Sequence, residues 1–348
     1  VALRTWIVIA CAAALAGCPN PVCKFRGTIN EPENLSMRRS LLRHGMGDVC
    51  KQMVARNAPL RLQPDTPVIG RFFPQTCTAK DDDNGGIYLQ FAGIGYGFTN
   101  VTKKLTFTAN GSALYRYDFR VREEGKCDIY AYFRPARVDS SDFRVNRIES
   151  GVASMMNQLT QMGDNFGKQL VSGKLMEGFT VISYDASETD IDFGLGITPV
   201  GKPPFHPYDV HGDDKATYES ERTEVHQNER DFIGPISVEG DGRRAIFITA
   251  QMDGAPAIDV LLARKEEGDQ SLRLYFDYPQ IGPLAAPPIA SDILQQGKEL
   301  KRAVPVAPGM YYVIFDNSAT AGRASPPGNA FDDRAAVVNY LIQVGDAS

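Results

Sequence analysis

Residues 304–317, VPVAPGMYYVIFDN, decide how the second half of the chain folds. Val304 and Val306 alternate with other residues, Pro308 and Gly309 interrupt, and a β-branched and aromatic run follows from Met310 to Phe315. Proline fixes one φ and glycine frees the next, so two strand-length runs on either side of this pair read as adjacent strands, 300–306 and 310–315. Five more runs of the same character lie around them, at 233–238, 245–252, 258–263, 272–278 and 335–344. Gly240-Asp241-Gly242 and Asp253-Gly254 separate some of these runs as turns. Short apolar runs with no long helical period predict an all-β antiparallel sandwich over 219–348. Upstream, 199–218 carries Pro203, Pro204 and Pro207 and breaks every periodicity, which predicts a linker there.

The part before the linker is mixed. Leu35, Leu41, Leu42, Met46, Val49, Cys50 and Met53 fall near helical spacing over 34–55. From 87 to 133 the pattern turns to short alternating runs, and 105–108 and 113–121 flank Asn110-Gly111, a dipeptide suited to a two-residue hairpin turn. Gly93, Gly95 and Gly97 in FAGIGYGF precede neither a helix nor Gly-Lys-Ser/Thr, so they read as close backbone packing instead of a phosphate loop. Val145, Ile148, Val152, Met155, Met156, Leu159, Met162 and Phe166 predict a helix over 143–176, broken near Gly163 and Gly167. Strands at 179–184 and 191–197 close the unit. The expectation is an α+β N-terminal domain, an antiparallel sheet with helices, over 18–198.

A composition of 43% hydrophobic and 23% charged residues is that of a folded protein, which excludes collagen-like, coiled-coil and disordered classes. The formal charge of −5 argues against nucleic acid as the main partner. At the start, Arg4 precedes an apolar run over 6–15 that is half the roughly 20 residues a membrane span needs. Leu15-Ala16-Gly17-Cys18 follows it and resembles the lipobox of bacterial lipoproteins. That resemblance implies a signal peptide over 1–17, cleavage before Cys18, acylation of Cys18 and a membrane anchor. It also implies, from Pro19 where inner-membrane retention would place Asp, an outer-membrane destination. Two or more acyl chains are what stable anchoring requires. The remaining Cys23, Cys50, Cys77 and Cys127 suit an oxidising compartment and form two disulfides in one of three pairings. In the second half, 304–317 resembles a hairpin of the prepeptidase C-terminal domain, a jelly-roll-like module that in its family is accessory and has no catalytic residues of its own.

Signatures of chemistry are sparse. His206, Asp209 and His211, beside Asp213 and Asp214, form the densest set of metal-capable side chains, yet no HExxH occurs and the neighbouring prolines preclude a helix. Asp81 and Asp83, in the run 81–86 (DDDNGG), offer oxygen ligands for Ca2+, but an EF-hand fails because its fifth position is Gly85 and its twelfth Ala92. No G-x-S-x-G elbow is present. Scattered Arg and Lys over 24–74 suit either a solvated surface or contact with anionic phospholipid or lipopolysaccharide. Together these features predict a non-enzymatic envelope lipoprotein with no resident cofactor, whose partners are the membrane and an envelope protein or lipid. An amphiphile carrier with the 143–176 helix over an apolar groove, and a metal-dependent hydrolase using His206 and His211, are the alternatives.

Overall fold

The structure is a computed structural model that describes residues 21–45, 49–63, 65–82, 85–99, 103–123, 127–149, 173, 177–186, 191–198, 204–211, 214–240, 242–278, 281–326 and 334–347. It is built mostly of antiparallel strands. Seven of them form one meander in chain order: β1 Ala58–Leu60, β2 Gly70–Asp82, β3 Gly86–Thr99, β4 Lys103–Glu123, β5 Cys127–Ile148, β6 Phe179–Ser183 and β7 Ile191–Leu195. The two edges, β1 and β7, return into contact, so the sheet curls until it is nearly closed. Alternation along β4 explains the curl. Leu105, Phe107, Ala109, Ala113, Tyr115, Tyr117, Phe119 and Val121 are buried, while Thr108, Asn110, Arg116 and Arg120 between them are not. A strand with one apolar face must turn that face onto something. Here it meets Phe133, Phe143 and Phe179, with the Phe133 and Phe179 rings stacked 4.2 Å apart. Two helices, α1 Leu35–Gly45 and α2 Val49–Ala55, pack on β4 and β2. Cys23–Cys127 and Cys50–Cys77 are the disulfides, one pairing of the three the sequence allowed.

Two sequence expectations are corrected here. Asn110-Gly111 is not a turn: it lies in the middle of β4, opposite Ala92 and Phe91 on one side and Asp142 and Ser141 on the other. Ladders on both flanks override the local turn preference, and Gly111 serves instead to make room, since a Cβ there would stand 2.7 Å from the Phe91 ring. Residues 143–148 are not helical but end β5, with Phe143 packed on Phe107 at 4.9 Å. Most of the expected helix, 150–172 and 174–176, lies outside the described residues. The glycines of β3 do mark close packing: a Cβ on Gly95 would sit 2.1 Å from Phe107 Cζ. Gly95→Val should therefore cost about 1–3 kcal/mol by overpacking, read as a lowered denaturation midpoint; an unchanged midpoint would count against this packing.

The second part is a sandwich of two four-stranded antiparallel sheets. Its strands are β8 Ala216–Val225, β9 Arg230–Val238, β10 Arg244–Asp253, β11 Ala257–Arg264, β12 Ala290–Gln295, β13 Glu299–Val306, β14 Gly309–Asp316 and β15 Ala336–Asp346. One sheet runs β13-β10-β15-β8 and the other β12-β11-β14-β9. Ile246, Ile248, Val260, Leu262, Phe315 and Ile342 fill the space between them. The expected strand at 272–278 is instead part of helix α3, Lys265–Asp277. Gly268, Ser271, Leu272 and Tyr275 are its buried residues, a helical spacing in which Gly268 lets the Tyr312 ring lie against the backbone.

The curled sheet and the sandwich share buried surface. Phe73 and Tyr96 of the first join Phe232, Leu261, Leu272, Tyr275 and Tyr312 of the second in one cluster. Val68 bridges Thr223 as a short parallel pair on the β8 edge. Arg71, fully buried, crosses the junction to Asp231, Glu219 and Tyr340.

Candidate binding cleft on the sandwich

A cleft of about 510 Å3 lies on the outer face of the β13-β10-β15 sheet. Strand register builds its floor. The even residues of β10 between Ile246 and Met252 point into the sandwich core, so Phe247 and Thr249 point out. Phe247 is flanked by Ala303 on β13 and Gln343 on β15, and Thr249 by Lys301 and Leu341. Glu299 continues the β13 row. The wall comes from outside the sheet: Tyr208 and Asp209 precede β8 in the chain, and Lys215 adjoins it.

Each lining group has a physical setting. The Lys215 ammonium stands 4.6 Å above the Phe247 ring centre, where the negative face of the ring attracts a cation. Lys301 pairs with Glu299 at 2.8 Å, an exposed pair that holds geometry more than it stabilises. The Gln343 amide donates to Thr217 Oγ1 at 3.4 Å. Burial, with Glu299 nearby, pushes the Tyr208 hydroxyl above the usual tyrosine range, so it stays a neutral donor. The cleft thus combines an aromatic ring, hydroxyl and amide groups, and three cations, Lys215, Lys301 and Arg302, set against Asp209 and Glu299, with Arg302 paired to Asp292 at 3.3 Å.

The sequence candidates fall beside this cleft more than in it. Asp209 lies on the wall and accepts from the His211 backbone at 2.9 Å. His211 also holds its Nδ1 3.2 Å from Asp209 and its Nε2 3.2 Å from Asp128 of β5. His206 donates through Nδ1 to the Ser220 carbonyl at 2.7 Å and holds Nε2 2.6 Å from the Tyr184 hydroxyl. Burial and then the nearby Asp192 push that hydroxyl far above the usual tyrosine range. Both histidines therefore dock 204–211 onto the curled sheet, and a metal would have to displace these partners. Among the described residues no three His, Cys, Asp or Glu side chains converge on one point. Asp81 pairs with Arg43, while Asp83 and Cys18 lie outside the described residues.

The sequence reading missed Phe247, Thr249, Lys301, Glu299 and Gln343. One signal existed: Phe247 stands out of phase with the buried Ile246 and Ile248, an aromatic on the solvent side of a strand. A second cavity, about 250 Å3, lies where α2 and β2 meet α3. Val54, Phe73, Ile94, Leu272 and Phe276 give it an apolar bed, with Arg56 and Arg273 also lining it.

No family model matches this chain, and no curated protein matches it. Among solved structures it is similar to a glycoside hydrolase family 43 arabinoxylan arabinofuranohydrolase from Bacillus subtilis, at 10% identity over 82% of this chain and 70% of that chain, with a TM-score of 0.21. A structure of infectious bursal disease virus, Gx strain, is 12% identical over 82% and 74% of the two chains, with a TM-score of 0.20. Likeness at this level carries no argument about activity.

Proposed function

We propose that this protein is a non-enzymatic cell-envelope lipoprotein that presents a binding or assembly module at a membrane surface. In this reading 1–17 is a cleaved signal peptide, Cys18 carries the lipid, and the outer membrane is the destination. An α+β domain over 18–198 sits next to the anchor, and the sandwich over 219–348, which follows the connection 199–218 and packs on the first part through the Arg71 junction, is the module displayed for binding. The observation that carries the binding role is the open cleft on the sandwich face, where a ring and several polar side chains line one concave surface outside the core. The lipobox residues Leu15-Ala16-Gly17-Cys18 support the address.

A second reading, an amphiphile carrier, draws on the 250 Å3 groove with its apolar bed and arginines. Its occupant would be an acyl chain with an acidic headgroup.

Two measurements test the main reading. Cys18→Ser should move the protein from the detergent phase to the aqueous phase in a detergent partition assay and abolish incorporation of labelled fatty acid. A mutant that stays in the detergent phase as fully as wild type would contradict the anchor. A photoreactive residue placed at Lys301 should form an adduct in intact envelopes, whereas one at the exposed Ser237 on the opposite sheet should not. Equal labelling at both positions, or none at Lys301, would remove the cleft as the binding surface.

A further inference from the structure

We propose that the cleft on the β13-β10-β15 face binds a neutral glycan, with a sugar ring laid on Phe247 and its hydroxyls held by Thr249, Glu299, Lys301 and Gln343. The proposal rests on the reading of this cleft as the binding surface and names its ligand class.

Four features point to a sugar. The first is Phe247 itself, which register places on the solvent face in contact with the cleft, where a ring serves no core. An aromatic face carries negative charge density and attracts weakly positive C–H groups, and a pyranose presents a flat row of these. Lys215 already covers one face, from the β15 side where it also lies against Gly345. On the other side stands Ala303, an exposed methyl that leaves room for a ring beside Phe247.

The second feature is the chemistry of the surrounding groups. A sugar hydroxyl both donates and accepts, so a site for it needs donors and acceptors within reach of the same ring. Lys301 donates, Glu299 accepts, and Thr249 and Gln343 do both. The third is charge. Lys215, Lys301 and Arg302 line the cleft with Asp209 and Glu299, and Arg302 is paired with Asp292 at 3.3 Å, so little excess of either sign is left to select a phosphate, a carboxylate or a cation. The fourth is what the cleft lacks for an acyl chain. Charged and amide side chains interrupt the apolar surface around Phe247, and a methylene chain would leave them without partners. The apolar lining of the 250 Å3 groove suits that ligand better, which separates the two cavities by chemistry.

The test uses the full chain, purified in a polyoxyethylene detergent that carries no sugar. Neutral tetrasaccharides of glucose, mannose and N-acetylglucosamine serve as probes, read by ligand-observed saturation-transfer NMR and by titration calorimetry. At least one should bind with a dissociation constant in the micromolar to millimolar range. Phe247→Ala should weaken that binding tenfold or more, and Ala303→Trp should block it by filling the space beside the ring. Ala303 is exposed, so its variant should keep the wild-type denaturation midpoint and decides the matter if Phe247→Ala fails to fold. Absence of binding by all three probes at millimolar concentration would overturn the proposal, as would binding that both variants leave unchanged. Should the glycans fail while the photoreactive residue at Lys301 still labels a partner, only the ligand class falls; should both fail, the binding surface falls with it.

Discussion

Arg71→Met should lower the stability of the protein by about 3–5 kcal/mol, the range for stranding one partner of a buried ion pair. The side chain is fully buried and reaches from β2 into the sandwich. Its Nε and Nη2 take the two Asp231 oxygens at 2.6 and 2.9 Å, and Nη1 takes Asn57 at 2.8 Å and Glu219 at 3.0 Å. Nη2 also donates to the Tyr340 hydroxyl at 2.8 Å, and Tyr96 donates to Asp231 at 2.8 Å. Burial works against the Arg71 charge, but Asp231 and Glu219 outweigh it and hold the guanidinium well above its ordinary range. Methionine fills much of the volume and answers none of these acceptors, so two carboxylates stay in a dry junction without a cation. Because the network joins the curled sheet to the sandwich, denaturant should unfold both at the lower midpoint. Arg71→Met combined with Asp231→Leu should recover part of the loss, since it removes a stranded charge. A single variant that costs under about 1 kcal/mol, as an exposed pair would, refutes the account.

Opening the disulfides should weaken the first half of the molecule far more than the second. Cys23–Cys127 joins residues 104 apart and Cys50–Cys77 residues 27 apart. Constraining loops of those lengths in the unfolded chain corresponds to about 4.7 and about 3.5 kcal/mol by chain entropy alone, and native disulfides in practice contribute about 2–5 kcal/mol each. Both bonds tie the N-terminal helices and their flanks to the curled sheet, and none of the four cysteines lies in the sandwich. Hydrogen exchange read by mass spectrometry should therefore show β2 to β5 losing protection first under reductant, with β10, β11, β14 and β15 keeping theirs. Loss of protection in all of these strands together would show that the shared junction, not the covalent links, sets the local stability.

Legibility in the sequence followed the range of the forces involved. Short apolar runs between turn residues located β9, β10, β11, β13, β14 and β15. Of these, β9, β11 and β14 are buried along nearly their whole length, β10 and the first half of β15 alternate, and β13, with Val304 alone buried, was legible through the Pro308-Gly309 turn beside it. The same rule misread 272–278, LRLYFDY, whose apolar residues also alternate. Its helical period becomes visible only when Gly268 and Ser271 are counted as buried, and small residues carry no hydrophobic signal. β8 and β12 were overlooked for the opposite reason. β8 carries polar residues such as Glu219, Glu221 and Thr223 that are satisfied across the junction, by Arg71, Arg61 and Val68. Of the cleft, local pattern showed Phe247 alone. Phe247, Ala303 and Gln343 are far apart in the chain, and only the pairing of β10 with β13 and β15 sets them in one row.

The passage of β4 straight through Asn110-Gly111 bears on how the protein ages. In a flexible turn, the glycine nitrogen after an asparagine can swing onto the side-chain amide and close a succinimide, releasing ammonia. Here β4 is an interior strand of the sheet, paired on both sides at this dipeptide, so its backbone is held extended away from the cyclising geometry. The same two residues that would be the chain's most perishable link in a loop are kept chemically quiet by their neighbours. Isoaspartate formed at residue 110 during storage would thus report that the middle of the sheet had opened before the bond reacted.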